Sequence, residues 1–589
     1  MAERMPPVDV VVVGVGWTGS IIGKELAAAG LKVVALERGR DRQTVPDFQA
    51  PAMHDELKYS VQYGLMQDVA RETVTFRNHA GETALPYRRI GSFLPGTGVG
   101  GAGVHWSGAV YRYTESDFKL RSHYTDRYGP DIFAADLTVQ DWPLTYAELE
   151  PSYDRFERLC GIGGQAGNIG GKLQPGGNPF EAPRSRDFPN PPMTMPYASA
   201  LFGKAAAELG YHPFPQPSAN MSAPYVNSEG LQLHPCEYCG FCSNFGCEHF
   251  AKASPQACIL PVALKNPNFS LRTDAYVLRI TKTPDGRRAT GVIYADGQGR
   301  EIEQPADLVF LCAFPFNNTR LLLLSGIGAP YDPASGTGVV GRNFAYQTTS
   351  SVSLFFDDSV NVNPFMGAGA LAVTIDDFNG DNFDHTGLGF VGGGYIQIQV
   401  VGGAPIKYHP APAGTPRWGA DFMRAIAGHY NHHASIGTSG SSMAHRGAYL
   451  DLDPTYKDAW GQPLLRMTFD FHDNDIRMSR FITDKGVEIG KQMGPRLVEP
   501  NYRTKPYSVV PYQTSHVVGG TAIGADPRTS VTNRYGQSWD VPNLFIAGAS
   551  LFPQNTGYNP TLTVGAMTYW TVDAVKAQYL KAPGPLVTP

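Results

Sequence analysis

The feature that most constrains this chain is a short turn, Gly14-Val15-Gly16-Trp17-Thr18-Gly19, set between two runs of different periodicity. Before it, Val10 to Val13 are consecutive β-branched apolar residues, the pattern of a buried strand in a parallel sheet. After it, Ile21-Ile22-Gly23-Lys24-Glu25-Leu26-Ala27-Ala28-Ala29 predicts a helix, with Gly30 as its C-cap. Lys32 to Leu36 predicts a second strand that ends at Glu37. Together these make a βαβ unit of the size that binds a dinucleotide. In such a unit the first glycine permits a tight turn and the second lets the backbone approach a pyrophosphate. The third allows close helix–strand packing, and the helix N-terminus offers N–H donors and partial positive charge to phosphates. Glu37 is placed to accept from ribose hydroxyls, which disfavours a 2′-phosphate. The turn alone does not choose between NAD and FAD.

A chain of 589 residues exceeds one compact core, so two or three domains, or two interleaved ones, are expected. The formal net charge of -5, with no basic block, argues against a nucleic-acid partner. The opening MAERMPPVDVVVVG lacks a charged region followed by an apolar stretch and a cleavage site, so no signal peptide is expected. No window reaches the roughly 18 apolar residues that span a bilayer, so membrane association is expected only through a partner or an amphipathic face. The 66 glycines and 47 prolines predict long, shaped loops. Pro95 to Gly103 is one such loop, and residues 161–195 read as an excursion or lid. Leu271 to Ile280 and Ala289 to Tyr294 alternate like strands about a Pro284-Asp285-Gly286 turn, and Leu308 to Ala313 predicts another buried strand. Residues 346–440 mix short β-like runs with glycine loops and are assigned to a second, sheet-based domain. Asn543 to Ala547 predicts a last buried strand, followed by a loop and a helix from Thr561.

Four of the seven cysteines crowd into Cys236-x2-Cys239-x2-Cys242-x4-Cys247, and no haem-attachment sequence occurs. The spacing is close to the ferredoxin pattern without matching it. Gly240 and Gly246 give the loop backbone freedom to turn around a cluster. An iron–sulfur cluster is the first expectation; structural zinc on four thiolates is the alternative, then disulfides or free thiols. Cys160, Cys258 and Cys312 read as small buried apolar side chains.

Several distant segments together resemble the glucose–methanol–choline (GMC) oxidoreductase family. They are Gly14 to Gly19 with Glu37-Arg38-Gly39, then Val99-Gly100-Gly101, then Leu321-Leu322 with Ser325-Gly326-Ile327-Gly328, and finally His516 with Asn559-Pro560-Thr561-Leu562. The resemblance implies FAD and an α/β, Rossmann-like flavin domain built from residues 1–115, 225–345 and 500–589, with a Cys-rich loop at 230–260. It also implies an antiparallel-sheet substrate domain and lid from residues 116–224 and 346–499. Two places depart from the family pattern: Ala102-Gly103-Val104-His105-Trp106 replaces a Ser-Ser/Thr pair, and Asn317-Asn318 replaces a Thr-Pro or Ser-Pro. With the cysteine run, these departures resemble the bacterial multi-subunit branch of gluconate 2-dehydrogenase, fructose dehydrogenase, sorbitol dehydrogenase and glucoside 3-dehydrogenase flavoproteins.

Oxidising an alcohol needs a base for the hydroxyl proton and an acceptor, flavin N5, for the hydride. Histidine suits the first task because its unperturbed pKa is about 6.5, and such assistance contributes ~10²–10⁴-fold. With 15 histidines present, chemistry cannot choose one; the resemblance implies His516, with Asn559 donating to the substrate oxygen. It also implies that Gly548, Ala549, Pro560 and Thr561 run past the flavin, that His105 and Trp106 lie near the isoalloxazine or pack beneath the glycine loop, and that the Val277 backbone approaches the adenine. A flavin takes two electrons whereas a cluster (3Fe-4S or 4Fe-4S) passes them singly. A cluster therefore implies export of electrons, in this branch to a cytochrome subunit. There a small subunit carries the export signal, which implies a periplasmic or membrane-associated enzyme, and otherwise, without such a partner, a cytoplasmic one. The expected function is an FAD-dependent dehydrogenase of a sugar, sugar acid or polyol. An oxygen-using oxidase with structural zinc and a non-catalytic electron-relay flavoprotein are the alternatives.

Overall fold

The valines at 10 to 13 enter the middle of a sheet and are almost wholly removed from solvent. In the computed structural model, which describes residues 2–49, 56–59, 63–88, 93, 95–403, 406–511 and 513–588, they belong to β1 (Val8–Val13). The chain then forms α1 (Trp17–Ala28) and β2 (Val33–Leu36). β1 and β2 pair in parallel, with Val10 opposite Val33 and Val13 opposite Leu36. Gly30 leaves the helix at φ 92°, a left-handed conformation that costs glycine little.

β3 (Phe269–Arg272), β4 (Tyr276–Lys282), β5 (Ala289–Ala295) and β6 (Glu301–Leu311) complete the sheet in the order β3-β2-β1-β6-β5-β4. The short strand Leu544–Ile546 adds to β6 in parallel, bringing the C-terminal segment beside the nucleotide turn. The expected continuous strand from Leu271 to Ile280 is therefore two strands. β3 pairs in parallel with β2, whereas β4 forms an antiparallel pair with β5. Between them Asp274 takes φ 51°, a reversal that alternation of apolar residues does not encode. β6 also begins earlier than Leu308: Glu301 to Pro305 pair with β5, and Ala306 to Leu311 pair with β1.

Residues 161–195 lie against α2 (Tyr146–Cys160). Arg184 is buried and donates to Glu157 of α2 at 2.5 Å and to Glu181 at 2.6 Å. Arg112 grips the same Glu157 with two bonds of 2.8 and 2.9 Å. Charges taken out of water need such complete pairing, so this segment is tied down at its middle.

The second sheet is antiparallel throughout. It comprises β7 (Thr348–Phe355), β8 (Gly367–Ile375), β9 (Gly394–Val401), β10 (His433–Gly440) and β11 (Leu497–Asn501), in the order β11-β7-β10-β9-β8, with the two-residue strand Phe214–Pro215 on the outer edge of β8. Side chains alternate across each strand. One face, with Val352, Leu354, Ile396, Ile398 and Ile436, packs against Phe202 of α3 (Tyr197–Glu208) and Met478, Ile482 and Ile489 of α4 (Asp473–Gln492). Each such buried side chain contributes about 1.5–3 kcal/mol. The opposite face presents Thr349, Tyr395, Gln397, Gln399 and Ser439 to a cavity shared with the first sheet. α5 (Thr561–Ala574) starts at that cavity's edge. Among the described residues, no helix is long and apolar enough to cross a membrane.

Candidate functional site

The three glycines of the turn meet three different surroundings. Gly14 adopts φ 92°, and a Cβ there would lie 2.6 Å from the Cys312 carbonyl oxygen. At Gly19 a Cβ would come within 1.9 Å of the Gly14 oxygen, so helix and turn touch through the missing side chain. At Gly16 the nearest atom to such a Cβ would be 3.9 Å away, so the backbone there is bare toward the cavity. The N-terminus of α1 and the glycine loop close on the same space, with Gly100 N donating to Val15 O at 2.7 Å. Glu37 lines this end of the cavity and is buried. It accepts from Val15 N and Gly39 N at 3.0 Å and from Gly98 N at 3.2 Å. Burial pushes its carboxyl up, while these N–H donors and Arg38 pull it down.

The cavity has a volume of about 430 Å³ and runs from Leu36, Glu37, Tyr276 and Val277, past the turn, to His516 and Asn559. That is a small-molecule or cofactor scale. All the residues proposed from sequence for cofactor binding and catalysis line it except Gly19 and Gly100, which pack behind the wall. At the far end His516 Nδ1 meets Gln347 Oε1 at 2.5 Å, and His516 Nε2 lies 3.4 Å from Asn559 Nδ2. Asn559 Oδ1 accepts from the Tyr395 hydroxyl at 2.8 Å. Burial pushes the His516 imidazole down to about 4, so it is an uncharged proton acceptor at neutral pH. His105 and Trp106 form a side wall. Burial, with Lys252 beside it, pushes His105 down to about 3, and its Nε2 is buried without a hydrogen-bond partner among the described residues.

The cysteine loop backs onto that wall. Cys236, Cys239, Cys242 and Cys247 all line one small cavity, while Ser243 and Asn244 line the large one. Asn244 N donates to His105 O at 2.7 Å. The loop holds Tyr238, Asn244 and Phe250 at φ 55°, 70° and 54°, conformations costly for non-glycine residues that collect at ligand clamps. Lys252, buried beneath, donates to the carbonyls of Trp106, Cys242 and Phe245 at 2.7–2.8 Å. Its three N–H groups are matched by three acceptors, as an ammonium requires. Among the described residues no three His, Cys, Asp or Glu side chains are disposed to hold a metal ion. Burial raises the Cys236 thiol to about 12 and lifts Cys239 and Cys242 as well.

The family models of the GMC oxidoreductases match residues 197–349 and 445–568. The chain is 51% identical to the gluconate 2-dehydrogenase flavoprotein of Pantoea cypripedii, with 100% of this chain and 96% of that one covered. This chain belongs to the GMC oxidoreductase family. It is also 27% identical to 2-methyl-1,2-propanediol dehydrogenase of Mycolicibacterium austroafricanum (98% and 97% covered) and 25% identical to the fructose dehydrogenase large subunit of Gluconobacter japonicus (98% and 99%). Its fold is that of pyridoxine 4-oxidase from Mesorbium loti, at a TM-score of 0.57 and 15% identity, covering 96% and 99% of the two chains.

As a GMC oxidoreductase the protein is an FAD-dependent enzyme acting on CH–OH groups. The cavity fits FAD on its own terms: Gly16 and Gly548 leave open backbone where a side chain would intrude, and Trp17, Thr18, His105 and Trp106 line it. Sequence reasoning missed Gln347, Thr349, Tyr395, Gln397, Gln399 and Ser439. The signal for three of them is present in Tyr395-Ile396-Gln397-Ile398-Gln399, where polar residues alternate with core isoleucines. What that polar face served became evident only when the two sheets met.

Proposed function

We propose that this GMC oxidoreductase is the flavoprotein subunit of a sugar-acid dehydrogenase, oxidising a hydroxyl of gluconate or a related polyol. Its electrons leave through an iron–sulfur cluster held by Cys236, Cys239, Cys242 and Cys247 to a cytochrome partner. The observation that carries this is the continuity of Cys242-Ser243-Asn244, which runs from the cysteine cavity directly into the wall of the catalytic one. The relative named as a gluconate 2-dehydrogenase flavoprotein, similar along the full length, supports the substrate class. The amides of Gln397 and Gln399 with the hydroxyls of Thr349 and Ser439 offer donors and acceptors suited to a polyhydroxylated chain.

FAD, when bound, supplies the hydride acceptor at N5. The chain's own part is to hold the alcohol and remove its proton. His516 Nε2 takes the hydroxyl proton as the C–H hydride departs, and Asn559 Nδ2 donates to the same oxygen. Gly14 to Gly19 and the N-terminus of α1 would hold the pyrophosphate. A cluster, once assembled, supplies one-electron transfer toward a partner, and Lys252 places a buried positive charge next to its thiolates. A small subunit and a periplasmic or membrane-associated setting belong to the same proposal.

Iron and acid-labile sulfide in the purified protein, together with gluconate-driven dye reduction, test it. Cys242→Ser should lower the iron content and slow dye reduction while gluconate still bleaches the flavin. Zinc without iron, with one peroxide formed per substrate in the absence of dye, would replace it with an oxygen-using oxidase.

A further inference from the structure

We infer that Gln347 is the positioning residue of the base: it holds His516 as the Nδ1–H tautomer and leaves Nε2 bare toward the substrate. This rests on His516 being the base.

An amide beside a histidine can either donate or accept, so the pair alone does not fix the proton. Here the choice is made on the other side of Gln347. Its Nε2 donates to Gly557 O at 2.8 Å and to Tyr558 O at 3.3 Å. Backbone carbonyls only accept, so the NH₂ group must face them and Oε1 must face His516. At 2.5 Å from Oε1, Nδ1 must carry the proton. A neutral imidazole has one N–H, so Nε2 keeps its lone pair. Asn559 agrees: its Oδ1 is taken by the Tyr395 hydroxyl, which turns Nδ2 toward His516 Nε2. The hydrogen bonds thus run one way from Tyr395 to the two carbonyls, and Gly557, Tyr558 and Asn559 are consecutive residues. One loop therefore sets the tautomer at one end of the imidazole and presents the donor at the other. The His516 backbone is held independently of Gln347, N to Thr514 Oγ1 at 3.2 Å and O from Asn555 Nδ2 at 3.1 Å.

The test uses the FAD-loaded protein with ring-¹⁵N-labelled histidine, in wild type, His516→Ala, Gln347→Met and Gln347→Glu. The signal lost in His516→Ala is that of His516; in wild type it should show a protonated Nδ1 and a bare Nε2. Gln347→Met keeps the volume and removes the acceptor. It should give a mixed tautomer and lower the rate of flavin bleaching by gluconate by about 10–100-fold, with substrate Kd and flavin content unchanged. Gln347→Glu, with its buried carboxyl protonated, donates to the same carbonyls, retains an acceptor for Nδ1–H, and should recover both the tautomer and most of the rate. A space-filling role predicts the reverse order, Met retained and Glu impaired. Nε2–H in wild type, or an unchanged tautomer in Gln347→Met, overturns the inference. Unimpaired bleaching in His516→Ala removes the base assignment instead. No bleaching of wild type by gluconate removes that substrate and leaves the tautomer result standing.

Discussion

Replacing Gly16 or Gly19 with alanine adds the same methyl group three residues apart and should produce opposite defects. At Gly16 the new carbon would meet nothing nearer than Gly100 O at 3.9 Å and Gly101 Cα at 4.0 Å, and φ is -81°, so there is neither overlap nor strain. The stability of the FAD-free protein should stay within about 0.5 kcal/mol of wild type. The methyl group projects toward the pyrophosphate, however, and pushes it off the backbone N–H donors. Losing two hydrogen bonds to a charged group, at about 1.5–3 kcal/mol each, amounts to about 3–6 kcal/mol. That is a rise in Kd of roughly 10²–10⁴-fold. At Gly19 the methyl carbon would sit 1.9 Å from Gly14 O and 3.2 Å from Val12 Cγ1. The first is a backbone atom that no rotamer change can move, so the cost should reach or exceed the upper end of the usual overpacking range, about 3 kcal/mol. Thermal melting without FAD, and flavin absorbance per protein after reconstitution, separate the two. Normal flavin occupancy in Gly16→Ala, or a wild-type melt for Gly19→Ala, would refute the reasoning.

Three further outcomes are expected. His516→Ala should retain FAD and lose ~10²–10⁴-fold in the rate of flavin reduction by substrate; stopped-flow bleaching measures this, and an unchanged rate removes the base. Because burial lowers the folded pKa of His516 from 6.5 to about 4, the base stays free down to that region, so kcat/KM should hold through pH 6.5 and fall as pH drops toward 4. An acid limb at 6.5 or above would contradict it. Arg184→Met leaves Glu181 without its buried cation and Glu157 with Arg112 alone. It should cost about 3 kcal/mol, read as a lower Tm with faster proteolysis inside residues 161–195; resistance equal to wild type would show that the segment is held elsewhere.

How much of this was legible depended on where the deciding contacts lie. β1, α1, β2 and the glycine roles are written in adjacent residues, because a left-handed turn, a two-sided buried strand and a helix each leave a local pattern. The strand break at Asp274 left none, since a change of partner strand is a property of the sheet and not of the alternation. His516 and Asn559 were identified by resemblance and order along the chain. What holds them was not identified, because Gln347 is 169 residues from His516 and Tyr395 is 164 from Asn559.

The sequence by itself carried a dinucleotide-type turn near the N-terminus, a His516 and Asn559 pair near the C-terminus that family resemblance singles out, and four thiols in one loop. Tertiary structure decided that these three share a wall. The short strand Leu544–Ile546 adds to β6 beside the nucleotide turn, and the second sheet turns a polar face toward it. Local conformation follows from near neighbours, but the direction of a proton on His516 follows from two carbonyls that only folding brings to Gln347.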